Sequence, residues 1–292
     1  MNTPKQNFNL YTFAPGLFVV LWATGFIGAK AGLPYAEPFT FLTWRFYIVA
    51  TLLFLIALLT KAPFPKRATD YIHIAVAGLL VQGIYLGGVF AAISLGVSAS
   101  VSAIIVGVQP LLTALLAVRV LGEKLKPLQW LGFIMGLFGL ILVVTREFNW
   151  QADDMFGLVL CTASLVAIAV GTIYQKKYCA NLDLRSGSMI QFLAAGTMTL
   201  VIALLFEQRE VIWSSEFIFA LTWLCLVLSV GAISLFFILI RRGEASRVAA
   251  LFYLVPPVTT LMAWAFFGEV LQPLAIVGMI LSAAGVALVV KE

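Results

Sequence analysis

Charge is what this sequence most lacks. Asp, Glu, Lys and Arg together make up 11% of its 292 residues, where a soluble globular domain carries about a quarter. Histidine occurs once, as His73, and cysteine three times, as Cys161, Cys179 and Cys225. A single His excludes a multi-His metal centre. No His-Glu-x-x-His, Gly-x-Ser-x-Gly or Gly-x-Gly-Asp cluster supplies the ligands or nucleophile of an intramembrane enzyme. Without a Gly-rich phosphate loop ending in Gly-Lys-Ser/Thr, ATP-driven pumping by this polypeptide alone is excluded as well. The cysteines are odd in number and dispersed, which argues against a disulfide framework and leaves them as small packing groups. The composition thus calls for no cofactor and no metal.

Apolar length is what the chain has in abundance. Hydrophobic residues make up 62% of it, with a mean hydropathy of +1.06. They fall into continuous runs of roughly 18 to 25 residues, the length a helix needs to cross a bilayer core. The runs do not alternate as barrel strands do, and only helices satisfy their own backbone in lipid. The expected fold class is therefore an all-α polytopic membrane protein. Ten transmembrane helices are expected, near 11–31, 37–60, 71–94, 98–119, 127–145, 154–175, 186–206, 217–240, 247–267 and 273–290. The polar first ten residues lead into a retained helix rather than a cleaved signal peptide.

The scarce positive charge is unevenly placed. If the N-terminus is cytoplasmic, the inner loops and tails hold Lys5, Lys61, Lys66, Arg67, Arg119, Lys124, Lys126, Lys176, Lys177, Arg185, Arg241, Arg242, Arg247 and Lys291. The outer side holds only Lys30, Arg146 and Arg209. The positive-inside rule then puts both termini in the cytoplasm. The net charge of +5 reflects this orientation and forms no continuous basic patch for nucleic acid.

The chain also repeats itself. The stretch GEKLKPLQWLGFIMGLFGLILVV from Gly122 is echoed without a gap by GEVLQPLAIVGMILSAAGVALVV from Gly268, an offset of 146 residues. At the same offset Pro110 meets Pro256, Thr113 meets Thr259, Ala99-Ser100 meets Ala245-Ser246, Phe46 meets Phe192 and Lys30 meets Lys176. Residues 1–146 and 147–292 are thus two five-helix repeats. Because five is odd, the second repeat enters from the opposite side of the membrane. Inverted repeats of this kind suit a secondary transporter, whose similar halves can exchange conformations and expose a central site to each side in turn.

Three stretches carry a family resemblance over nearly the whole chain. They are VLWATGFIGAKAGLPYAEPFTFLTWRF in the first two spans, ISLGVSASVSAIIVGVQPLLTALLAVRVLGEKL through the fourth, and its echo RRGEASRVAALFYLVPPVTTLMAWAFFGEVL through the ninth. In these the chain resembles a ten-helix member of the EamA family of the drug/metabolite transporter superfamily. The resemblance implies two inverted five-helix bundles around a central cavity, with the fifth and tenth helices packing at the periphery or at a dimer contact. It implies export of amino acids, related metabolites or toxic compounds, and it specifies fold and transport class far better than substrate.

Polar residues inside the spans carry the candidate site, since polar groups at membrane depth are costly. Arg45 lies about two turns into the second span. One reading has it attract a substrate carboxylate or exclude cations; the other has it brace helices at the outer vestibule. Gln82, Tyr85 and Gln109 form a second set of donors and acceptors, complemented by Gln175 and by Gln191, the repeat partner of Arg45. Trp22 and Tyr253 either wall the cavity, where they could stack on aromatic or cationic substrates, or are aromatics that face lipid or pack in the core. Pro110 and Pro256 lie inside helices and serve as hinges or as plain helix shaping. Gly122-Glu123 and Gly268-Glu269, each followed by Leu and Pro, read as structural turns that stop one helix and start the next. Pairs such as Gly28/Gly32, Gly83/Gly87 and Gly132/Gly136 let helices approach closely. Trp130, Trp150 and Trp213 read as interfacial anchors, and His73 as an interfacial residue or a proton relay.

No Asp or Glu is central in any span, so facilitated diffusion or exchange is expected over strict proton antiport. The expected partners are a small-molecule substrate and membrane lipids, with the protein a monomer or homodimer in the bacterial inner membrane. A flippase for a lipid or lipid-linked metabolite and an exporter of cationic or aromatic drugs stand as alternatives.

Overall fold

The structure is a computed structural model that describes residues 10–97, 99–144, 155–267 and 272–291. Among these residues the chain is mostly helical, with no strand beyond an isolated bridge between Ala36 and Val211. In chain order the helices are α1 (Leu10–Gly32), α2 (Pro38–Leu59), α3 (Ala68–Ser94), α4 (Ile104–Leu121), α5 (Pro127–Val144), α6 (Met155–Cys179), α7 (Leu184–Phe206), α8 (Ser215–Arg242), α9 (Ala245–Met262) and α10 (Pro273–Val290). Eight of these, α2–α4 and α6–α10, are long and apolar enough to cross a membrane; α1 and α5 hold the shorter apolar stretches Phe13–Gly25 and Pro127–Val143.

Local chemistry sets the ends. Pro38, Pro127 and Pro273 stand in first turns, where a missing N–H costs nothing. Asp183 caps α7 by accepting from the Arg185 and Ser186 amides, and Ser214 caps α8 through Phe217. Gly122 closes α4 in the left-handed region at φ 71°, a conformation that spares glycine the steric penalty of a Cβ. Its repeat partners Gly268 and Glu269 lie outside the described residues, as do Arg146 and Trp150.

Both repeated prolines sit differently from the interior kinks read in the sequence. The helix breaks at Gly107 and Val108 and restarts at Gln109–Leu116, with Pro110 in the new first turn. In α9 a tight 3₁₀ turn, Leu251–Leu254, precedes the restart at Val255 beside Pro256. Pro110 thus falls in a new first turn and Pro256 directly follows the 3₁₀ turn, so in each case the irregularity precedes the proline. A second matched irregularity is π-helical: Leu79–Ile84 in α3 and Leu224–Ala232 in α8.

Repeat-related helices pack against each other and run antiparallel. On α2 and α7, Thr40 bonds Glu207, Thr43 bonds Thr199 at 3.0 Å, and the rings of the repeat partners Phe46 and Phe192 meet at a tilt of 46° with centroids 5.8 Å apart. Further along, Ser186 donates to the Pro63 carbonyl. On α5 and α10, Gln129 donates to the Val289 carbonyl, and Ser282 to the carbonyl of its repeat partner Gly136. The remaining contacts exchange in pairs: α1 packs on α8 as α6 packs on α3.

Glycine makes the α5–α10 approach possible. A Cβ on Gly139 would stand 2.4 Å from Ser282 Oγ and 2.6 Å from the Gly278 carbonyl oxygen, and one on Gly132 would stand 2.6 Å from the Gly285 carbonyl oxygen. Gly139→Val is therefore expected to destabilise the protein by about 1–3 kcal/mol through overpacking, read as a lower melting temperature in detergent. An unchanged melting temperature would show that the two helices part freely.

Candidate functional site

Helical period carries Arg45 inward. Phe41, Leu42, Arg45, Phe46 and Val49 share the buried face of α2, while Trp44 is exposed. The Arg45 side chain is 1% exposed. Its Nε donates to Ser229 Oγ at 3.0 Å, and its Cζ lies 5.9 Å from the Phe46 ring centroid. Cys225, one turn before Ser229 on α8, donates to the Arg45 carbonyl at 3.7 Å. The Nη2 of Arg45 has no hydrogen-bond partner, and none of the ion pairs among the described residues includes this guanidinium. A buried cation without a counter-charge costs several kcal/mol, which a fold retains only for a reason other than stability.

Trp22 and Tyr85 stand nearby. Tyr85 is within electrostatic reach of Arg45 and lies against the Trp22 indole. Trp22 is also part of an aromatic group with Phe18, Phe236 and Phe252, its ring centroid 5.0 Å from that of Phe252 in an edge-on contact.

The glutamines divide between helices. Gln191 Nε2 donates to Gln175 Oε1 at 2.8 Å, while Gln191 Oε1 has no partner. This pair borders a small void of about 10 Å³ shared with Ser188 and Arg241, room for about one water. Gln82 is fully buried in the π-helical part of α3, and neither of its amide atoms is bonded. Gln109 Nε2 donates to Thr113 on its own helix at 3.1 Å, leaving Oε1 free. Tyr253 lies on α9, its hydroxyl toward the Leu111 backbone of α4. Its ring packs onto Gly136, where a Cβ would come within 2.3 Å of it, so it braces α9 on α5. A larger groove of about 580 Å³ runs along α7 beside Leu79, Ile190, Leu193, Met198 and Val201, and includes none of these polar residues.

At one end of the bundle Glu123 joins both halves. Its carboxylate accepts from the Ala245 and Ser246 amides at 2.7 and 3.2 Å, from Ser246 Oγ at 2.5 Å and from Lys176 Nζ at 3.1 Å. Lys176 also donates to the Gly243 carbonyl. Behind this junction Ala117, Ile173 and Ala245 form a small apolar cluster. Burial alone would push the Glu123 carboxyl up, but the donors from Ser246, Ala245 and Lys176 outweigh it and hold the group below the ordinary glutamate range. A depressed pKa stabilises the junction above the ordinary value and is lost only as pH falls through the lower, folded value. The accessibility of Ala117→Cys, read as its labelling rate divided by the thiolate fraction at each pH, is therefore expected to stay flat from about pH 8 to about pH 5 and to rise only in stronger acid. A rise near neutral pH would contradict an ionised Glu123. Its repeat partner Glu269 lies outside the described residues.

The sequence pointed to Arg45 and Glu123 but not to their partners Ser229 and Lys176. Ser229 gives no signal of its own. Lys176 is visible as an inner-loop charge and as the repeat partner of Lys30, and Ala245-Ser246 as the echo of Ala99-Ser100. His73 pairs with Tyr174 at 2.7 Å and stacks on Tyr178 at one end of α3, apart from Arg45.

Comparison with known proteins adds to this geometry. The EamA-like transporter family matches twice, over residues 14–145 and 155–291. A Bacillus subtilis protein, the uncharacterized transporter YvbV, is 27% identical, covering 93% of this chain and 88% of the relative. The probable amino-acid metabolite efflux pump of Salmonella typhimurium is 26% identical, covering 92% and 91%. The uncharacterized inner membrane transporter YedA of Escherichia coli is 24% identical, covering 87% and 81%. One crystal structure shares the fold with a TM-score of 0.80 and 19% identity, over 95% of this chain and 96% of that one.

Proposed function

The chain belongs to the EamA-like transporter family, and from that premise we propose that it exports amino acids or closely related small carboxylates by alternating access. It is a multi-pass inner-membrane transporter, and its relatives are transporters rather than enzymes. The observation that carries the substrate reading is Arg45: a buried guanidinium with a free Nη2 and no carboxylate partner among the described residues. A substrate carboxylate supplies the missing counter-charge. The free amide oxygens of Gln82, Gln109 and Gln191 suit a substrate ammonium. A cationic drug without a carboxylate would meet an uncompensated positive charge.

In this reading residues 1–146 and 147–292 are inverted five-helix repeats, ten spans in all, with both termini cytoplasmic. The antiparallel packing of repeat partners on α2/α7 and α5/α10 supports that arrangement. The Glu123 junction closes the cytoplasmic end, and the helix restarts before Pro110 and Pro256 absorb the bending when it opens. Movement is by exchange or facilitated diffusion, and the protein surrounds its substrate as a monomer or homodimer.

Ligand binding tests the substrate class without assuming a driving force. A bound substrate at about 100 times its Kd adds about 2.7 kcal/mol to the folded state. The purified protein is expected to melt a few degrees higher in some L-amino acids of a broad panel and not in their amides. Equal shifts with acid and amide would rule out recognition through the carboxylate.

A further inference from the structure

Among the described residues Arg45 is held by one side chain from the other half of the molecule, Ser229, and the internal repeat did not put it there. The offset of 146 pairs Arg45 with Gln191 and Ser229 with Gly83. The hydroxyl that receives Arg45 Nε therefore has no counterpart where α7 meets α3. Ser229 is 1% exposed and sits in the π-helical segment of α8, a geometry that often marks functional positions. The bond is 3.0 Å long and fully buried. It occupies Nε and so fixes the plane of the guanidinium, leaving Nη2 as the unpartnered donor. Among the described residues Ser229 supplies the side-chain hydrogen bond that orients this group; the second contact from α8, Cys225, goes to the Arg45 main-chain carbonyl.

We propose that Ser229 is the positioning residue that aims the Arg45 guanidinium at the substrate carboxylate. The inference rests on the reading of Arg45 as the carboxylate anchor. Without the hydroxyl, the guanidinium keeps its charge but can turn about its last side-chain torsions, and each binding event must then order it. A hydrogen bond to a charged group contributes about 1.5–3 kcal/mol, and the loss appears as weaker substrate binding of about tenfold or more.

The test uses full-length protein in liposomes, with labelled L-alanine, L-serine, L-leucine and L-phenylalanine as counterflow probes and the corresponding amides as competitors. For whichever probe wild type carries, Ser229→Ala is expected to raise the half-saturation concentration about tenfold with little change in maximal rate. It should also narrow the preference for acid over amide. Ser229→Thr, which keeps the hydroxyl, should restore both. Ser229→Gly, which copies the residue at position 83, provides a second variant should Ala disturb folding, and it should behave as Ala does. A structural defect would lower transport without moving the acid-to-amide preference. If Arg45→Ala loses that preference while both Ser229 variants keep wild-type half-saturation and preference, the positioning role is overturned and the anchor stands. If Arg45→Ala keeps the preference, or wild type carries no probe, the anchor reading falls and this inference falls with it.

Discussion

Arg45→Ala is expected to reduce transport at least thirtyfold while the protein remains folded in the membrane and melts at the same temperature or higher. The two halves of that result come from one fact. Arg45 is buried with a hydrogen bond from Nε but no ion pair among the described residues, so its removal breaks no salt bridge and relieves an unpaired buried charge. Replacing such groups by apolar ones of similar volume is often neutral or stabilising, and in Arg45→Ala the relief of the unpaired charge offsets the cavity that the smaller side chain leaves. For a bound carboxylate the change is the reverse, because truncating one partner of a desolvated charge pair costs about 2–5 kcal/mol, or thirtyfold and upward. Arg45→Lys should recover little: an ammonium keeps the charge but lacks the planar fork and the Nε that engages Ser229. Normal kinetics in Arg45→Ala would remove Arg45 from the substrate site and leave it as a helix brace.

Glu123→Gln is expected to shift the resting population toward opening at the Glu123 end by tenfold or more. The substitution keeps the shape and one acceptor, but loses the charge that faces Lys176 and the N-terminus of α9. Charge-assisted bonds of this kind contribute about 1.5–3 kcal/mol each, and a single 1.4 kcal/mol already moves a two-state population tenfold. The measurement is labelling by a membrane-impermeant thiol reagent, with Cys161, Cys179 and Cys225 replaced. Ala117→Cys lies behind the junction and should label faster from that side. Ala29→Cys, buried near the other end of α1, should label more slowly from the opposite side, because the two openings exclude each other. Faster labelling at both positions would mean general loosening and would count against a gate.

Fold class was largely legible before any coordinates, because two signals survive in a single chain. Apolar length reports spans, and the offset of 146 reports the repeat. Arg45 was legible too, as the only Lys or Arg central in an assigned span, and cost at membrane depth makes such a residue conspicuous. What surrounds it was not. These helices are apolar on nearly every side, so no polar face announces which residues point inward; Ser229 becomes a partner only because α8 crosses α2. The same limit applies to Tyr253, whose aromatic ring suits a cavity wall, a lipid-facing position or the core, and which packs on Gly136 because α5 approaches α9 there. Pro110 and Pro256 announced irregularity, but sequence does not say on which side of a proline a helix stops. The backbone resolves it by breaking first and using each proline to restart.

The central claim is that this chain is a carrier whose substrate is recognised through its carboxylate by Arg45. Counterflow in proteoliposomes tests it most directly, because trapped unlabelled solute drives entry of its labelled counterpart without any assumed ion gradient. Liposomes preloaded in turn with each of a broad panel of amino acids should show saturable accumulation for a subset, abolished in Arg45→Ala and absent for the matching amides. A flat panel in liposomes shown to hold folded protein would contradict amino-acid export, and accumulation that survives Arg45→Ala would contradict the recognition that Arg45 is assigned.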